Sequence, residues 1–225
     1  MLRRGLFVLA ALVPLVACAG PTQESEAQRA VDRATLTMED IMSSSSAHDV
    51  GQTLRNARAV MICPEVFKAG FILGGSGGSC VLVGRAAAGS WSAPAFYSIG
   101  SGSFGLQAGI QDASLIMMIM NDRALNAVIN SQFKIGADAS LAVATIGAGI
   151  GGSTTAALSA DIVTFALERG LFAGVSLDGA LLSSDYTADQ AYYGSGPDAR
   201  QIVVGMQANN PGANPLRAVL ARYGG

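Results

Sequence analysis

The chain has 225 residues, 50% of them hydrophobic, with 14 basic and 16 acidic residues, 28 glycines, three cysteines and one histidine. A net charge of −2 and a mean hydropathy of +0.40 exclude a disordered polymer and give no electrostatic basis for binding nucleic acid. One histidine and three cysteines cannot build a clustered His/Cys metal site, so neither metal nor cofactor is expected.

The first eighteen residues read as an export signal. Arg3 and Arg4 form a basic start, residues 6–13 an apolar core shorter than the roughly 18 residues that span a bilayer, and Leu15-Val16-Ala17-Cys18 a small-residue cleavage site. This pattern resembles the bacterial lipoprotein signal, in which residues 1–17 would be removed and Cys18 would carry palmitate-type acyl chains. Loss of Arg3 and Arg4 takes the basic count from 14 to 12 against 16 acidic residues, a net charge of −4. Ala19 is not the aspartate that retains lipoproteins at an inner membrane, so the expected location is the cell envelope, at an outer membrane and facing the periplasm. A plain secretory signal peptide is the alternative. Cys63 and Cys80 remain, either as a disulfide in an oxidising compartment or as two buried thiols.

Residues 21–46 predict a polar-faced helix with Ala27, Val31, Ala34, Met38 and Ile41 on one stripe and Ser25 with Gln28 as a capping box. The serine run 43–46 ends it. A second helix is expected from Asp49, with Val50, Leu54, Ala57 and Met61 on one side, until Pro64 stops it. Arg29, Arg33, Arg55, Arg58 and Lys68 are candidates for a patch binding anionic headgroups; the alternative is a solvated face paired with Asp32, Glu39 and Asp40.

From Ala69 the pattern becomes short apolar runs punctuated by glycine. Residues 69–73 and 80–83 predict two strands joined by a flexible turn over 74–79, and runs at 96–99, 104–110, 114–120, 140–146 and 171–177 continue the series. A helix capped by Asn121 interrupts them, with Leu125, Val128 and Ile129 on one face. Residues 154–169 fit either helix or strand, and a short helix is expected at 216–223. These elements predict an α+β fold, a mostly antiparallel glycine-rich sheet with N-terminal helices and an inserted helix. The expected organisation is an acylated N-terminus and polar-faced helix over 18–48, a single domain over 49–196 and a tail over 197–225.

Enzymatic readings are weak. The spacing G-x-G-x-x-G occurs at Gly147 to Gly152 and again at Gly100 to Gly105, which in a chain with 28 glycines is a cheap match. His48 sits beside a serine run and reads as an exposed loop residue, and Asp138, Asp161 and Asp178 read as turn or cap residues.

Several blocks then match a family in order. Trp91-Ser92-Ala93-Pro94-Ala95-Phe96, Gly105-Leu106-Gln107-Ala108-Gly109, Gly136-Ala137-Asp138-Ala139-Ser140, Arg169-Gly170-Leu171-Phe172-Ala173-Gly174-Val175-Ser176-Leu177-Asp178-Gly179 and Tyr192-Tyr193-Gly194 resemble the SYLF family over residues 57–194. The resemblance implies a non-enzymatic module that binds membrane lipid, of the phospholipid or phosphoinositide type, and in some yeast relatives actin filaments. Actin is absent from a bacterial envelope, so actin is not an expected partner. Trp91 and Phe96 are candidates for insertion at a membrane interface, with packing in the core as the alternative. A scaffold that holds another envelope protein through an exposed patch around Trp91 and Phe96 is the rival function.

Overall fold

A computed structural model describes residues 22–70, 73–104, 109–130, 132–135, 141–147, 159–169 and 179–225. The signal and Cys18, the blocks at 105–108, 136–140 and 170–178, and residues 148–158 lie outside them. Among the described residues an eight-stranded sheet runs in the order β5-β8-β3-β2-β1-β4-β7-β6. Its strands are β1 (Ala59–Gly70), β2 (Leu73–Gly84), β3 (Ala95–Phe104), β4 (Gly109–Ile119), β5 (Phe133–Lys134), β6 (Val143–Gly147), β7 (Ile162–Arg169) and β8 (Leu181–Ser184). All these pairings are antiparallel except β6 with β7. The chain is therefore α+β with a mostly antiparallel sheet, as its spacing predicts.

Helices cover both faces. On one lie α1 (Gln23–Met42), α2 (Ala47–Asn56), α4 (Tyr186–Tyr193) and α6 (Asn214–Gly224); on the other, α3 (Asp122–Asn130) and α5 (Ala199–Val203). Alternate residues of the central strands feed the two cores: Val60, Ile62, Val81 and Val83 point to the α1 side, Met61, Cys63, Cys80 and Leu82 to the α3 side. Burial on both faces explains why residues 59–63 and 80–83 are continuous apolar runs rather than alternating ones.

The predicted stripe of α1 is buried from Ala27 to Ile41. Its cap differs from expectation: Thr22 Oγ1 accepts from the Ser25 N–H at 3.3 Å, while the Gln28 amide donates to Asp32 and to the Gly212 carbonyl. The helix predicted to run to Pro64 ends at Asn56, and Met61 and Pro64 belong to β1. Residues 59–62 pair on both sides, with β2 and β4, and non-local pairing outweighs the local helical spacing. Pro64 falls where the register of β1 shifts against both neighbours, so its missing N–H leaves no gap in a ladder, and its carbonyl accepts from Ser114 Oγ at 2.7 Å.

The expected turn at 74–79 is instead the interior of β2, held by β1 on one side and β3 on the other. The expected strand 104–110 is divided, since β3 ends at Phe104 and β4 begins at Gly109. Residues 162–169 of the ambiguous segment are strand β7. Asn121 caps α3 as expected, its Oδ1 accepting from the Ala124 N–H at 2.9 Å, and His48 lies exposed in α2 rather than in a loop. Cys63 and Cys80 are joined by a disulfide from β1 to β2 on the α3 side.

Candidate functional site

Helix α1 crosses the sheet over β1 and β2. Its stripe is down, so the flanking positions Glu26, Arg29, Ala30 and Arg33 overhang the strands where their apolar runs give out. Below them the bulge at Pro64 turns Glu65 and Phe67 outward, with Val66 buried between. Between helix and strands lies a groove of about 420 Å³ with Gly77, Gly78 and Ser79 as its floor. Gly78 is required there, because a Cβ would collide with the Glu65 carbonyl oxygen at the bulge. The floor continues as a shelf of small residues, Gly75, Gly77 and Ser79 pairing with Gly102, Gly100 and Ser98. A smaller hollow of about 110 Å³ adjoins it, sharing Glu26, Ala30 and Ser79.

The charges in the groove are matched. Arg29 meets Glu26 at 3.7 Å along the helix, and Arg33 reaches across to Glu65. All four side chains are about half exposed, so each pair is solvated and separates at little cost. Phe67 beside them is 51% exposed, and Leu36, one turn beyond Arg33 on α1, is 59% exposed.

The five basic candidates do not form one patch. Arg29 and Arg33 line the groove. Arg58 stands at the opposite end of β1, where Asp122 Oδ1 accepts from its Nε at 2.9 Å and holds the guanidinium's pKa above its ordinary value. Arg55, on α2, is at that same end. Seven residue steps, about 23 Å of extended chain, lead from Arg58 to Glu65. The backbone of Lys68 is in β1.

Trp91 and Phe96 are corrections of a different kind, being 2% and 3% exposed and therefore core residues. Trp91 is roofed by the Arg85 guanidinium 4.9 Å from its ring centroid, and its carbonyl accepts from Arg217 Nε at 2.8 Å. Arg85 also donates to the carbonyls of Arg55 and Gly224. Phe96 packs edge-on against Tyr192, with centroids 5.1 Å apart. Neither aromatic can enter a membrane or hold a partner without opening the core.

Two buried carboxylates serve the frame. Asp161 Oδ2 accepts from the Ala142 N–H at 2.8 Å, and its carboxylate also accepts from Asn121 and Arg123. Those donors, the Ala142 amide foremost, hold its pKa down at about 2. Asp189 on α4 is fully buried, its Oδ1 accepting from the Phe96 N–H at 3.0 Å and its Oδ2 without a hydrogen-bond partner among the described residues. Burial, with Asp185 and Asp198 adding to it, pushes its pKa up to about 7. Asp189 thus fastens α4 to β3, helped by Tyr193 Oη donating to the Pro94 carbonyl at 2.6 Å.

The spacing match at Gly100 begins inside β3 rather than at a strand-to-helix turn, as a phosphate loop would require. Among the described residues, no three His, Cys, Asp or Glu side chains group to hold a metal ion, and no helix is long and apolar enough to cross a membrane. Glu65, Phe67 and the glycine floor were not sequence candidates. Glu65-Val66-Phe67-Lys68 places two apolar residues side by side, so no period-two alternation marked Phe67 as outward-facing; the bulge at Pro64 sets its side.

The family described as Las17-binding protein actin regulator, Ysc84, matches residues 100–223. The human SH3 domain-containing YSC84-like protein 1 is 32% identical over 71% of this chain and 47% of its own length. Protein YSC84 of Saccharomyces cerevisiae is 28% identical over 74% of the chain and 36% of its own length. An SH3 domain-containing protein of Schizosaccharomyces pombe is 31% identical over 74% of the chain. The chain spans about half the length, or less, of these curated relatives.

Proposed function

The chain belongs to the Ysc84 (SYLF) family, and from that premise we propose that it is a non-enzymatic lipid-binding module of a cell envelope, held at the membrane through an acylated Cys18. The observation that carries the reading is the groove beneath α1, where Arg29 and Arg33 stand beside the exposed Phe67 above a floor of Gly77, Gly78 and Ser79. Such a site offers a headgroup two guanidinium groups and offers an acyl chain an aromatic edge. Chain length supports it too. Three residues lie between Cys18 and Thr22, a span of at most about 14 Å, so an acylated Cys18 keeps the first turns of α1 close to the bilayer. Ala19 favours the outer membrane.

The role in Las17 binding and actin regulation is described for a family whose curated members are covered by this chain over less than half their length, and we do not carry it into an envelope. The scaffold alternative relied on a surface patch at Trp91 and Phe96, which are core residues.

The test is flotation of residues 19–225, which contain every described residue, with vesicles of phosphatidylethanolamine, phosphatidylglycerol, cardiolipin or phosphoinositide in phosphatidylcholine. Saturable binding, reduced by Phe67→Ala, is the expected result; no binding to any mixture would refute the reading. Mass spectrometry of the protein from its host, with Cys18→Ser beside it, tests the anchor.

A further inference from the structure

Resting on the lipid-binding reading above, we infer that the groove selects a zwitterionic headgroup, a phosphate bearing an ammonium, rather than a polyanionic one. The described lining of the groove carries two arginines and two glutamates, joined as Arg29 with Glu26 and Arg33 with Glu65. Its summed charge is zero. A headgroup with several phosphates and no cation would take the arginines only by leaving Glu26 and Glu65 unmatched beside it, and like charges then oppose binding.

A phosphoethanolamine or phosphocholine group avoids that conflict. Its phosphate and ammonium stand two carbons and an oxygen apart, and the Arg33–Glu65 pair presents the complementary order across the groove, cation from the helix and anion from the strand. Inserting the headgroup opens one exposed ion pair and makes two, so no charge is left alone. Phe67 gives the ammonium an aromatic face on the same side of β1 as Glu65. Gly77 and Gly78 keep the floor clear, so the headgroup can lie flat against the strands. The matched charges also predict weak salt dependence, because the approach of a zwitterion to a neutral site involves little long-range attraction.

The experiment compares residues 19–225 on three vesicle types: phosphatidylcholine with phosphatidylethanolamine, uncharged digalactosyl diacylglycerol, and phosphatidylglycerol alone. The expected result is binding to the zwitterionic vesicles about tenfold tighter than to the galactolipid, changing less than about twofold between low and physiological salt. Arg33→Gln and Glu65→Gln should each weaken it by about fivefold or more. The exchange Arg33→Glu with Glu65→Arg keeps the ion pair but reverses the order, and should weaken binding as much as either single variant, with circular dichroism as the check that each variant is folded; binding equal to the wild type would overturn the inference. Binding confined to phosphatidylglycerol and strengthened by Glu65→Gln would overturn the zwitterion inference while leaving lipid binding standing. Equal binding to galactolipid would likewise overturn it, by showing that the headgroup charges are not read. Binding to none of the vesicles would overturn the lipid reading itself.

Discussion

Asp189→Asn isolates a penalty that the fold carries at neutral pH. In the folded protein burial raises this carboxyl from its ordinary value of 3.8 to about 7, whereas the unfolded chain keeps the ordinary value. Between those values the unfolded state has released a proton that the folded state retains, so stability falls as pH rises through the window and levels off above about 7. At about 1.4 kcal/mol per pH unit, the whole window corresponds to a loss of at most about 4 kcal/mol. Asparagine keeps an oxygen for the Phe96 N–H but does not ionise. Its amide occupies the place of Oδ2, which has no partner among the described residues, and so adds a pH-independent cost of about 1–3 kcal/mol. Urea unfolding of residues 19–225, followed by circular dichroism from pH 4 to pH 8, compares the two proteins. The variant should be the less stable at pH 4 and should gain on the wild type steadily up to about pH 7, with little further gain to pH 8. Parallel profiles would refute the assignment of a proton to buried Asp189 at neutral pH.

Gly78→Ala should cost about 1–3 kcal/mol in the same assay, because the new methyl meets the Glu65 carbonyl, and should weaken vesicle binding by displacing the bulge that carries Phe67. Trp91→Ala should lower stability by about 3–5 kcal/mol while the folded fraction binds vesicles like the wild type; selective loss of binding without loss of stability would restore an interfacial role for this residue. Asp161→Ala should destabilise by about 1–3 kcal/mol, since the Ala142 N–H loses its acceptor. The pKa of Asp161 is depressed, so its contribution is complete above its ordinary value of 3.8 and disappears as pH falls through about 2; acid titration of the alanine variant should lack that component.

What the sequence disclosed followed the range of the interaction concerned. The stripe from Ala27 to Ile41 and the Asn121 cap are local, set by residues three or four apart, and both stand where their spacing puts them. Met61 has helical spacing from Leu54 and Ala57, yet lies in β1 because Leu82 and Met117 flank it from strands distant in the chain. Residues 74–79, all glycine and serine, carry no side-chain pattern, and neighbours on both sides make them a strand. The candidate site followed the same rule. Arg29 and Arg33 were legible as one helix face, but nothing in sequence joins them to Glu65 or separates them from Arg58, because both relations come from α1 lying across β1.

The bond between Cys63 and Cys80 closes a loop of residues 17 apart in sequence around the hairpin tip. In most hairpins the in-and-out alternation of side chains fixes alignment, because a slipped strand would turn its apolar residues to water. The tip of β2 lacks that safeguard: sliding it by two positions would exchange Gly75 for Gly77, leaving the shelf almost unchanged in shape. The two sulfurs can join in only one alignment, next to the Ile62 and Val81 pair. Oxidation therefore acts as an index mark for the hairpin, favouring the alignment that sets Gly77 opposite Phe67.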